Sequence, residues 1–165
     1  MEEGFEKCLE YPVEVRTHTA LHVVKGAIVR VLGDQALWTA SVYVKDNHGR
    51  ITVTCNEKPS KEAIRLIEEK ANEAVRRDLR IEVVKMPRSL AEEKYGNIIY
   101  DLFPVPDYVK ELSIVIIYDD NSYWNINACN KEHLPSTRCI GRIRIKKVRF
   151  RAKKKLLEVS FDIEP

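Results

Sequence analysis

The chain has 165 residues, with 28 Lys and Arg against 25 Asp and Glu and a net charge of +3. That length can bury a substantial core without disulfides, and no run approaches the eighteen or more apolar residues of a membrane span. The opening Met-Glu-Glu-Gly-Phe-Glu-Lys lacks the basic start and apolar centre of a secretory signal, so a cytoplasmic protein with no membrane partner is expected.

Residues 1–12 are expected to be a flexible or edge segment of one domain covering 1–165. The first helix is predicted to start at Thr17 as N-cap and to end at Gly33 as C′ residue. Ala20, Leu21, Val23, Val24, Ala27, Ile28, Val31 and Leu32 make it apolar nearly all round, which predicts a buried, central helix. Residues 37–45 and 50–55 read as strands joined by Asp46-Asn-His-Gly49, with His48 a surface residue of the turn. An amphipathic helix follows over 59–77, its inner stripe built on Ala63, Leu66, Ile67, Lys70 and Ala74.

Residues 79–86 predict another strand. A short helix then opens at Ser89, with Glu92 at capping-box spacing, and ends at Tyr95-Gly96. Pro104 and Pro106 force 101–107 into an extended connector. Strands are expected over 114–118, 140–151 and 156–163, the last two a hairpin around Lys153-Lys154-Lys155. Apolar alternation changes phase between Ile145 and Val148, which predicts a bulge near Lys146-Lys147. The order of elements predicts an α+β fold, a single domain with mainly antiparallel strands around the central apolar helix.

His18 and His22 stand four residues apart, on one face of a helix; Cys129 and His133 repeat that spacing more than a hundred residues later. Zinc accepts imidazole and thiolate alike, so the two pairs can make one site, and metal-assisted hydrolysis is the first chemistry they suggest. Trp124-Asn-Ile-Asn-Ala reads as the strand that delivers Cys129. All four cysteines, Cys8, Cys55, Cys129 and Cys139, are expected as reduced thiols, because their spacing is uneven and no signal precedes them.

Ten Lys and Arg and no Asp or Glu lie between 138 and 155, leaving 18 basic against 25 acidic residues elsewhere. Such a segment beside a metal site suggests a polyanionic substrate; Arg142, Arg144, Lys146, Lys147, Arg149 and Arg151 are the expected phosphate contacts. A charge-guarded edge strand is the alternative reading.

Arg16-Thr-His-Thr-Ala-Leu-His22, Cys129-Asn-Lys-Glu-His133 with Ile140-Gly141 beyond it, and Ala91-Glu-Glu-Lys-Tyr-Gly96 together resemble the zinc-containing editing domain of alanyl-tRNA synthetase and its freestanding relatives, the AlaX proteins. The resemblance spans about 13–161. Two stretches depart from the synthetase pattern: Cys-Asn-Lys-Glu-His stands where Cys-Gly-Gly-Thr-His is usual, and Thr137-Arg-Cys-Ile-Gly141 where Thr-Gly-Glu-Ile-Gly is usual. Both leave the ligand positions intact and alter the surroundings of the pocket.

The resemblance implies the fold shared by threonyl- and alanyl-tRNA editing domains, a Zn2+ cofactor on His18, His22, Cys129 and His133, and hydrolysis of mischarged tRNA(Ala), chiefly Ser-tRNA(Ala). His133 is either the fourth ligand or a catalytic proton-transfer group. Thr39 matches a pocket residue whose hydroxyl would bind the serine side chain. The length and the lack of a Gly-rich phosphate loop point to the short form, acting without ATP, and a monomer is expected. The alternatives are threonyl-type editing of Ser-tRNA(Thr), a noncatalytic RNA-binding module with a structural zinc, and an unrelated small-molecule metallohydrolase.

Overall fold

The computed structural model describes residues 8–103 and 105–164. Helix α1 (Val13–Leu32) runs through the centre, with Ala20, Leu21, Val23, Val24, Ala27 and Ile28 buried. Its N-cap is Pro12, not Thr17; Pro12 has φ −55°, the angle its ring imposes, and Glu14 in the first turn faces the positive end of the helix dipole. Thr17 is fully buried inside the helix, its Oγ1 2.9 Å from the Val13 carbonyl and 2.7 Å from that of Asp46. A helix that starts earlier carries His18 and His22 into its second and third turns rather than its first two. Gly33 closes α1 as expected, at φ 78° with its N–H donated to Val29 O.

Among the described residues seven strands form two sheets, and every pairing within them is antiparallel. β1 (Thr39–Lys45), β2 (His48–Thr54), β6 (Arg142–Arg151) and β7 (Leu156–Glu164) make one, in the order β1-β2-β7-β6. β3 (Ile81–Pro87), β4 (Glu111–Asp119) and β5 (Ser122–Ala128) make the other, in that order. The β1–β2 connection is tighter than expected: Asp46 takes φ 53°, a conformation an aspartate tolerates, and His48 already opens β2 opposite Lys45. His48 Nδ1 lies 2.7 Å from Asp162 Oδ1 across the pair with β7, at the surface. The predicted bulge in β6 is present as a register shift between Ile145 and Lys147.

α2 (Lys61–Arg76) begins after Ser60, whose Oγ accepts from Ala63 N at 3.0 Å. Its buried residues are Ile67, Ala71, Ala74 and Val75; Lys70 sits at the margin and pairs with Glu73 at 3.6 Å. α3 (Arg88–Tyr95) follows β3 directly from Pro87, without the capping box expected at Ser89. The carboxylate of Glu92 is engaged elsewhere, taking Arg88 Nε at 3.2 Å and the Tyr100 hydroxyl at 2.6 Å.

Alternation along β4 divides the interior. Val115 and Ile117 join the large cluster around α1, whereas Leu112, Ile114 and Ile116 pack with Met86, Ala91, Ile99 and Ile126 in a smaller one beneath α3. This is the α+β, largely antiparallel arrangement predicted from sequence. Among the described residues no helix is long and apolar enough to cross a membrane.

The cysteine expectation needs correction. Cys8 and Cys139 form a disulfide across 131 residues of sequence, while Cys55 and Cys129 are free. Buried Arg16 explains the approach: its Nε donates to Cys139 O at 2.7 Å and its Nη2 to Ile140 O at 3.4 Å, which draws 139–140 onto the start of α1. Sequence spacing cannot report such a tertiary tether. Residues 1–7 of the N-terminal segment lie outside the described residues; Cys8 is held by the disulfide.

Candidate metal centre

α1 presents His18 and His22 one turn apart on one face, their ring centroids 5.4 Å from each other. The opposing pair comes from the loop after β5. Cys129 N donates to Ser113 O at 2.9 Å, and Leu134 N donates at 3.1 Å to Thr19 Oγ1 on α1, so the loop carrying Cys129 and His133 is fastened at both ends. His18 Nε2 then lies 3.3 Å from Cys129 Sγ and His22 Nε2 3.0 Å from His133 Nε2. The donor atoms of all four residues fall within 4.8 Å of one another. The structure thus brings together all four residues predicted as ligands, in a cluster that could hold a metal.

Burial keeps the three ring nitrogens unprotonated, the form in which they can hold a metal. Burial, with nearby Lys131, pulls His18 down to about 4; burial and His18 pull His133 down to about 4. Burial first, then the neighbouring His133, His18 and Lys25, hold His22 well below its ordinary range, and burial pushes the Cys129 thiol up. At neutral pH three uncharged rings and a thiol therefore converge, and among the described residues His133 Nδ1 is buried without a hydrogen-bond partner. Nitrogen and sulfur donors in this number suit a borderline-soft divalent ion.

Asn125 on β5 orients one ligand. Its carboxamide nitrogen is placed 3.3 Å from His22 Nδ1; with the amide turned, its oxygen accepts the Nδ1–H and leaves Nε2 free to ligate. Asn125→Ala is expected to weaken metal binding about 10- to 100-fold while leaving the fold intact, the usual cost of losing such a partner. Competition against a chromogenic chelator measures this, and unchanged affinity would remove Asn125 from the site.

The cluster opens into a cavity of about 410 Å³ whose wall includes His18, His22 and Cys129, but not His133. The predicted pocket residue Thr39 lies in that wall, buried, with Lys25 Nζ donating to its Oγ1 at 2.6 Å and to Leu37 O at 2.6 Å. Lys25 is only 9% exposed; burial lowers it to about 8 against the opposing pull of Asp101. Asp101 reaches the same wall just ahead of Leu102, whose N donates to Thr39 O at 2.8 Å.

Sequence reasoning missed Lys25, Asp101, Asn125 and Asn127. A lysine inside an otherwise apolar helix was a usable signal for the first, and the alternation of Asn125 with Asn127 put both on one face of β5. Nothing in the sequence marks Asp101. The six predicted basic contacts do not line this cavity: they lie along β6, one of the two outer strands of the four-stranded sheet. Arg144 pairs with Glu164 at 3.2 Å, Lys146 with Asp162 at 4.0 Å and Arg151 with Glu158 at 3.5 Å. Among the described residues, Arg142, Lys147 and Arg149 have no carboxylate within 4.0 Å.

Fold and site together define a small antiparallel α+β domain with a His and Cys metal-competent cluster at the base of a cavity. No family model matches the chain. It is 39% identical over 134 residues to the alanine–tRNA ligase of Pyrobaculum neutrophilum, covering 81% of this chain and 15% of the ligase. The alanine–tRNA ligase of Pyrococcus furiosus is 38% identical over 131 residues, 79% of this chain and 14% of that protein. For Methanopyrus kandleri the figures are 36% over 159 residues, 90% of this chain and 17% of the ligase. The chain is thus similar to one part of alanine–tRNA ligase, and it spans less than a fifth of the length of these relatives.

Proposed function

We propose that this protein is a zinc-dependent hydrolase that deacylates mischarged tRNA(Ala), chiefly Ser-tRNA(Ala). The observation that carries the reading is the four-donor cluster, three of whose residues line a cavity that the buried Thr39 also lines. His18, His22, Cys129 and His133 would hold the ion, which when bound supplies Lewis acidity and a lowered pKa for an attacking water. Because His133 stands outside the cavity wall, its assigned role is the fourth ligand. Lys25 donates to Thr39 Oγ1, which leaves the threonine O–H free to donate to a serine hydroxyl. A pocket built to meet that hydroxyl would leave it unpaired with alanine, so the correctly charged tRNA is spared. Apolar Leu21, Val42 and Ile51 in the same wall limit bulk water around the ester.

The reading includes one editing domain over 1–165, acting as a monomer in the cytoplasm, with tRNA held partly by Arg142, Arg144, Lys146, Lys147, Arg149 and Arg151 and with no requirement for ATP. Of the three without a carboxylate partner among the described residues, Arg142, Lys147 and Arg149, the last two lie beyond the bulge of β6 and serve as the test. Replacing both by Ala is expected to flatten the logarithmic salt dependence of tRNA binding by about 0.9 per lost contact without changing metal content. An unchanged slope would make β6 a charge-guarded edge and nothing more.

The deciding experiment compares deacylation of Ser-, Gly- and Ala-charged tRNA(Ala) and Ser-tRNA(Thr), with and without a chelator. Chelator-sensitive loss of serine from tRNA(Ala), with alanine retained, is expected. Preferential clearing of Ser-tRNA(Thr) would assign threonyl-type editing. Tightly held zinc with no turnover would assign a noncatalytic RNA-binding module.

A further inference from the structure

Resting on the editing reading, we propose that Lys131 receives the phosphodiester group on the 5′ side of the tRNA's terminal adenosine, where the RNA chain leaves the cavity. Lys131 lies in the Cys129-Asn-Lys-Glu-His133 stretch, at a position where the synthetase pattern has glycine. It lines the cavity together with His18 and Cys129, and it also lines an outer groove of about 460 Å³ with Glu14, Val44 and Glu132. His18, Val42 and Lys131 are common to both, so the two spaces meet at this edge of the cavity. Lys131 is exposed, which puts it at the mouth, whereas Lys25 is buried.

Among the described residues two lysines and no arginine line the cavity, Lys25 and Lys131. The Lys25 ammonium is committed to Leu37 O and Thr39 Oγ1, both at 2.6 Å. Lys131 has no carboxylate within 4.0 Å among the described residues. Burial is the larger influence on His18 and Cys129, but the Lys131 charge also reaches both, which locates its ammonium on the ligand side of the cavity. An ester carbonyl held at the cluster is followed by the terminal ribose, and the phosphate on its C5′ is the first charge on the way out. The cavity wall also holds two carboxylates, Asp101 and Glu111, and the outer groove holds Glu14 and Glu132. Those acids repel a phosphodiester everywhere along the rim except at Lys131, so one position is selected rather than a diffuse patch. A compact ammonium on a flexible stem suits a single phosphate at an open edge.

The test measures binding of two probes to the zinc-loaded full chain by calorimetry: 3′-deoxy-3′-seryl-amido-adenosine, and the same compound carrying a 5′-methyl phosphate. The phosphorylated probe is expected to bind about 5- to 30-fold more tightly in low salt, the range of one charged hydrogen bond at an exposed site. Its advantage should decline with salt at a logarithmic slope of about 0.7, the value for one contact on a single strand. Lys131→Gln should bring the two affinities together by weakening the phosphorylated probe alone, and Lys131→Arg should keep them apart. An advantage that survives Lys131→Gln overturns the assignment. Equal weakening of both probes in that variant overturns it too, since Lys131 would then act through the metal ligands. Equal binding of the two probes by the unaltered protein removes the Lys131 assignment and leaves the editing reading standing. If neither probe binds and no tRNA is deacylated, the editing reading falls, and this inference with it.

Discussion

Cys129→Ala is expected to reduce bound zinc from about one per chain to a trace and to lower deacylation of Ser-tRNA(Ala) on the order of a thousandfold or more. The thiolate is the only group of the four able to bring negative charge to the ion, and the three imidazoles without it leave a weaker, purely neutral donor set. His18→Ala and His22→Ala should behave alike. Retained zinc with lost turnover in His133→Ala would reassign that residue to proton transfer.

The same site predicts a direction with pH. His18 and His133, lowered to about 4, are already neutral across the physiological range and stop competing for the ion there. Cys129, raised by burial, still holds its proton and must release it on binding. Metal affinity should therefore climb with pH through the neutral range, with about one proton released per ion, and fall further as pH drops toward the imidazole values. Affinity measured between pH 6 and 9 that stays flat would show that the thiol is not a ligand. Full turnover in a verified metal-free preparation would overturn the zinc mechanism itself.

Gly26→Ala is expected to destabilise the protein by about 2–4 kcal/mol and to weaken the metal site with it. A Cβ on Gly26 would stand 2.5 Å from Trp124 Cδ1 and Nε1 and 2.6 Å from its carbonyl oxygen. The Trp124 indole donates to Val23 O at 3.0 Å, and Arg30 donates to Trp124 O at 2.9 Å, so neither ring nor backbone can yield cheaply. Alanine gains about 1 kcal/mol of helix propensity over glycine, less than the overpacking it causes here. Any shift of β5 moves Asn125 and the approach to Cys129. Urea denaturation with a parallel zinc titration measures both effects. Gly33→Ala is the control, strained at φ 78° but open to space, and should cost less and spare the metal. Equal or higher stability of Gly26→Ala would show that β5 can move away from α1 freely.

Some of this protein is determined by sequence alone, because it depends on local periodicity and side-chain chemistry. Four-residue spacing put His18 with His22 and Cys129 with His133, apolar residues around the whole of α1 made it central, and the phase change in β6 required a bulge where the register does shift between Ile145 and Lys147. Local rules failed where a distant partner outbid them. Thr17 lost the N-cap to Pro12 because its hydroxyl faces the Asp46 turn, and Ser89 lost its capping box because Glu92 serves Arg88 and Tyr100.

Only tertiary structure decided the rest. Cys8 meets Cys139 across 131 residues because Arg16 draws two carbonyls onto α1. The basic strand lies on a sheet edge rather than in the cavity wall. Lys25, Thr39 and Asp101 come from a helix, a strand and a connector, and no spacing along the chain relates them. They share one cavity because α1 packs against the sheet and Leu102 is hydrogen-bonded to Thr39, and burial then changes their charge behaviour. Charge in a pocket depends on what surrounds it in three dimensions, which periodicity does not encode.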